Sequence, residues 1–122
     1  MPSRAMTFVT VGVGRRMRPS LVTRIVAAMG SWRTERRLTQ VAARLRSLRG
    51  ELAMIDEQLT QLRDEADDLA LRALVAETPA ASHASNDARK HVDAMRRHRD
   101  HVVEEIAKLE TRQDELLDRL IS

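Results

Sequence analysis

Between Leu38 and Ala73 apolar residues recur at alternating intervals of three and four: Leu38, Val41, Leu45, Leu48, Leu52, Ile55, Leu59, Leu62, Ala66, Leu69 and Ala73. That spacing fills every a and d position of five heptads and predicts a helix of coiled-coil type. Gly50 falls at an f position, away from the seam, where it costs about 1 kcal/mol against Ala. Thr34 is the expected N-cap. Pro79 disfavours helical backbone at Thr78, so the helix is expected to span 34–77. The small, polar stretch 78–86 then reads as a loop, and Ser85 or Asn86 caps a second helix over 87–121.

The second helix keeps the same rhythm through Ala88, Val92, Met95, Arg99, Val102, Ile106, Leu109, Gln113, Leu116 and Leu120. Two long helices of matching length joined by a loop predict an all-α fold, a long antiparallel two-helix coiled-coil hairpin. If facing residues have numbers summing to 161, Leu59 meets Val102, Ile55 meets Ile106 and Leu45 meets Leu116. In that alignment Arg49 lies near Glu110, Glu51 near Arg112 and Arg44 near Arg119. The acidic run Asp64, Glu65, Asp67 and Asp68 faces Arg96, Arg97 and Arg99. Arg99 opposite Leu62 is the one charged layer. Its stem is expected to lie along the seam and its head to reach Glu65, which makes Leu62, Arg99 and Glu65 a candidate register layer. Gln113 opposite Leu48 is the second polar layer.

The pattern before residue 34 is different. Residues 1–33 hold no heptad and read as a basic N-terminal arm, mostly disordered, with a short helix over 20–29 capped by Ser20 and ended by Gly30. A translation start at Met17 or Met29 is an alternative reading of the first segment. Charge sharpens the division. Residues 1–50 carry eleven Arg and one acid, Glu35, whereas residues 51–122 carry ten basic and seventeen acidic side chains. Arg15, Arg16, Arg18, Arg24, Arg33, Arg36 and Arg37 form a candidate anion-binding arm for nucleic acid or an anionic membrane surface. Leu21, Ile25, Val26, Met29 and Trp32 would supply the apolar face that an interfacial helix needs. On the hairpin itself Ala42, Ala70, Val103 and Leu117 occupy e positions of one flank. They widen the apolar stripe and form a candidate association face for a four-helix assembly.

No 18-residue apolar run exists, and the basic residues follow rather than precede the mildly apolar stretch 5–14, so neither a membrane span nor a secretory signal is expected. Cysteine is absent, which suits a reducing cytoplasm, and the preference for Arg over Lys suggests a GC-rich bacterial genome. The four histidines show no repeated ligand spacing, and no nucleophile elbow or phosphate-cradling loop occurs. The expectation is a non-enzymatic interaction protein without cofactor, metal or small-molecule substrate, acting as a homo-oligomer or on a larger protein partner.

The hairpin resembles the coiled-coil arm of the transcript-cleavage factors that enter the RNA polymerase secondary channel. The resemblance covers the two helices alone. It implies a channel-type regulator with an acidic, metal-holding tip, for which this sequence offers only Glu77 and Asp87. A likeness to small secreted helix-turn-helix proteins fails at their Trp-x-Gly turn, because 78–86 contains neither residue.

Overall fold

The computed structural model describes residues 20–122 as two α-helices, α1 over Leu21–Ala76 and α2 over Pro79–Ile121, packed antiparallel. The disorder expected for 1–18 lies outside the described residues.

Both element boundaries differ from the sequence-based expectation, and the reasons are local. α1 does not begin at Thr34, nor does Gly30 interrupt it. Ser20 caps the helix, its Oγ accepting from the Thr23 N–H at 3.1 Å. Gly30 costs only about 1 kcal/mol inside a helix, too little to end one. Thr34 Oγ1 donates back to the Gly30 carbonyl at 3.0 Å, a bond made inside a helix and not at its start. The expected loop 78–86 is absent as well. Thr78 caps α2, with its Oγ1 accepting from Ala81 N–H at 3.2 Å, and Pro79 takes the first helical position, where its missing N–H costs nothing. Ala80, Ala81 and Ala84 are strong helix formers and carry the helix onward. The reversal therefore takes two residues, Glu77 and Thr78. Glu77 adopts left-handed backbone (φ 51°), and its N–H donates to Ala73 O at 3.1 Å.

The shorter turn changes the register. On one flank Arg44 pairs with Glu105 (3.3 Å) and Glu51 with His98 (3.5 Å). On the other, Arg49 pairs with Glu110 (3.1 Å). The residue numbers of these pairs sum to 149 on the first flank and 159 on the second, which centres the seam on 154. The alignment at 161 is thus one heptad too long. A one-heptad slip keeps every a opposite a d, so the apolar pattern alone does not reject it. At 154, Leu48 lies opposite Ile106, Leu52 opposite Val102 and Leu59 opposite Met95. Leu48, Ile55 and Val102 form the buried cluster, with Leu52, Met95, Ile106 and Leu109 packed around it. Leu45, Leu48 and Leu116 are fully buried. Near the turn the seam narrows to small side chains, and Ser85, expected as an N-cap, is buried inside α2.

The two helices are unequal. α1 has 56 residues and α2 has 43. At the observed register Ile121 falls opposite Arg33, so α1 runs on alone for its first three turns, about 18 Å.

Candidate interaction surfaces

The lone end of α1 carries the largest uncovered apolar area of the described residues. Leu21, Val22, Ile25, Val26, Met29 and Trp32 are all more than half exposed, Trp32 at 58%. Counted in the heptad that begins with Leu38 at a, the seam positions here are Arg24, Ala27, Ser31 and Thr34, small or polar. The large apolar residues fall at b, c and f, apart from Leu21 at e. Across Thr34 the apolar stripe passes from the α2 side of α1 to its outer side, roughly 150° around the helix. α2 covers none of it, because α2 ends at Ile121 opposite Arg33.

The basic arm is helical where it is described. Arg24, Arg33, Arg36 and Arg37 stand on α1, distributed around its circumference. Arg15, Arg16 and Arg18 lie outside the described residues. The Arg36 guanidinium sits over the Trp32 ring, 5.5 Å from its centroid, within cation–π range. Trp32, Glu35, Arg36, Thr39 and Gln40 line one open groove there.

The same outer side of α1 turns acidic toward the tip. Asp64, Glu65, Asp67, Asp68 and Leu71 line a second open groove. Asp68 is bridged to Arg72 at 3.2 Å. The acidic run does not face Arg97 and Arg99 as expected, because the register has moved by a heptad. Asp67 shares a groove with Arg89 and Arg96. Beyond Asp68, Leu71, Leu74 and Val75 are 61%, 75% and 80% exposed.

The expected layer of Leu62, Arg99 and Glu65 is not assembled. Arg99 lies opposite Ile55, not Leu62, and its Nε donates to Asp56 Oδ1, not to Glu65. The hydrogen bond that Arg99 donates to Asp56, then the Asp56 charge, holds the Arg99 guanidinium above its ordinary pKa, with Asp100 adding to the effect. Asp56 was missed because its e position meets Arg99 only once the turn is known to be two residues long; the Thr78-Pro79 cap pair was the available signal. Arg44, expected beside Arg119, instead pairs with Glu105. Glu51 meets His98, not Arg112. Arg49 pairs with Glu110 as expected.

The candidate association face is dispersed. Ala42 and Ala70 are half-buried, and Val103 and Leu117 are 39% and 41% exposed. They share a flank, but Arg49 and Glu110 sit among them, joined to each other. Ala42 and Ala70 stand about 42 Å apart along α1.

Histidines contribute local pairs, His83 to Asp87 at 3.4 Å and His98 to Glu51. Among the described residues no group of three or more His, Asp or Glu is placed to hold a metal ion, and no helix is long and apolar enough to cross a membrane. Glu77 is the one carboxylate in the turn, and Asp87 lies well inside α2. No protein-family profile, curated protein or solved structure matches the chain.

Proposed function

We propose that this chain is a non-enzymatic coiled-coil interaction protein, in which the hairpin is a stiff stem and the outer side of α1 is the docking surface. One observation carries the reading: among the described residues, six large apolar side chains at the end of α1 that α2 does not reach are left exposed. Burying each contributes about 1.5–3 kcal/mol before ordering costs, and an uncovered patch of this kind marks an interaction site. The absence of cysteine and the Arg-rich composition fit a cytoplasmic bacterial protein.

A second reading rests on a separate observation. Arg24, Arg33, Arg36 and Arg37 flank that apolar face, a composition that also suits an anionic membrane surface or nucleic acid.

The test is a Val26→Glu, Met29→Glu double variant of the full chain. Both positions are exposed, so helicity is expected to survive. Mass by sedimentation equilibrium is expected to fall from an oligomer to a monomer. A wild type that is monomeric at every concentration but binds phosphatidylglycerol vesicles, with blue-shifted Trp32 emission, would establish the second reading instead.

A further inference from the structure

We infer that the occupant of the outer face of α1 is a second copy of the same α1, crossing it antiparallel about a two-fold axis at Gly50. This deepens the interaction reading above and rests on it.

The argument begins with the order of side chains along the b, c and f positions. From the N-terminus they run apolar (Ile25, Val26, Met29, Trp32), basic (Arg33, Arg36), mostly small or polar (Ala43, Ser47, Gly50 and Ala53, with Arg46, Met54 and Glu57 among them), acidic (Asp64, Asp67, Asp68) and apolar again (Leu71, Leu74, Val75). Toward the two ends the order is a palindrome in size and polarity, with the charge inverted across the middle. All of these residues are exposed. Among the described residues Arg33, Arg36, Asp64 and Asp67 take part in no ion pair within the chain.

Such a face is complementary to itself when reversed. Lay two copies of α1 antiparallel so that facing residue numbers sum to 100. Arg36 then meets Asp64 and Arg33 meets Asp67. Met29 meets Leu71, Val26 meets Leu74 and Ile25 meets Val75, while Trp32 against Asp68 and Arg46 against Met54 are the unmatched layers. Because the arrangement is isologous, every pair occurs twice. The centre falls on Gly50 against Gly50, with Ser47 opposite Ala53. A Cβ built on Gly50 meets nothing within 4 Å in the isolated hairpin, so the position is open for another backbone to approach.

Neighbouring registers match fewer layers. Moving one heptad to a sum of 93 sets Ile25 against Asp68, Val26 against Asp67 and Met29 against Asp64. Moving the other way, to 107, sets Arg36 against Leu71 and Arg33 against Leu74. A parallel pair stacks Arg on Arg and Asp on Asp, which repels. The exposed ends of α1, unexplained by the hairpin alone, become partners of one another, and the tip of one hairpin covers the lone helix of the other.

The first experiment uses the absence of native cysteine. Gly50→Cys and Gly30→Cys are matched variants, since a Cβ at Gly30 also meets nothing within 4 Å. Under mild oxidation Gly50→Cys is expected to give a covalent dimer and Gly30→Cys is not, because only residue 50 meets its own copy. The second experiment uses charge. Arg33→Glu with Arg36→Glu sets acid against acid at both ends of the dimer, and Asp64→Arg with Asp67→Arg sets base against base. Each double variant alone is expected to dimerise about tenfold or more weakly than wild type. Mixing the two restores opposite charges at both ends and is expected to recover a heterodimer. Circular dichroism on each confirms that the hairpin is folded. A wild type that is monomeric at every concentration overturns the second copy as occupant, whether or not it binds vesicles, and leaves the docking reading only for a different partner. A wild-type dimer whose charge variants are not rescued by mixing, or in which Gly30→Cys links as readily as Gly50→Cys, overturns the two-fold at Gly50 alone.

Discussion

Arg99 on α2 reaches across the seam to Asp56 on α1, donating from Nε to Oδ1 in the one charged layer of a mainly apolar interface. Both side chains remain partly exposed, so salt screens the pair. Replacing Asp56 with Asn is expected to lower the melting temperature at low ionic strength. The difference from wild type should shrink toward zero near roughly 1 M salt, where the Debye length is about 3 Å. A salt-independent difference would mean that Asp56 acts by packing.

Register is testable with paired cysteines. Leu52→Cys with Val102→Cys joins residues that face each other, and an intrachain disulfide is expected. Leu59→Cys with Val102→Cys is displaced by one heptad, about 10 Å along the axis, beyond the roughly 7 Å Cα separation a disulfide tolerates. Peptide mapping after oxidation distinguishes the two. Ready closure of the second pair would mean that the hairpin slips.

Packing predicts a contrast between a buried and an exposed apolar residue. Leu48 is fully buried in the central cluster, so Leu48→Ala is expected to cost about 2–5 kcal/mol in urea unfolding. Ile121 is 84% exposed, and Ile121→Ala should stay within about 0.5 kcal/mol. Equal effects would show that the cluster is not the core.

The turn offers opposite signs at adjacent residues. Thr78→Ala removes the cap on α2 and should cost about 0.5–2 kcal/mol. Glu77→Gly relieves left-handed backbone at a residue with a Cβ, and should gain about 1 kcal/mol. A destabilising Glu77→Gly would indicate that the Glu77 side chain makes a contact that outweighs the strain.

Much of this architecture was legible in the heptads. Leu38 to Ala73 and Val92 to Leu120 gave two antiparallel helices, because period and polarity are properties of the chain itself. The boundaries were not legible for equally physical reasons. Gly30 and the small residues 80–85 resemble breakers in composition, yet Gly costs little and Ala costs nothing once Ser20 and Thr78 supply caps. Register depended on turn length, and a slip of seven residues is silent in an apolar pattern, so only the Thr78-Pro79 cap pair, which shortens the turn, pointed to Asp56 as the partner of Arg99. The apolar residues at the start of α1 were visible, but the side they occupy relative to the seam emerged only when the helix proved continuous through Gly30.

The two-residue reversal also bears on the order in which the chain closes. Layers nearest the turn come together across the shortest loops, yet they set Ala73 against Ala81, Leu69 against Ser85 and Ala66 against Ala88, and gain little by meeting. The first layer with a large side chain on both helices, Leu62 with Val92, closes only after about thirty residues have been looped, and each doubling of loop length beyond that adds about 0.6 kcal/mol. Closure therefore starts a third of the way up the stem and zips away from the turn toward Leu38 and Leu116. Amide exchange should be slowest around Ile55 and Val102 and rise in both directions, with the lone end of α1 the first to open.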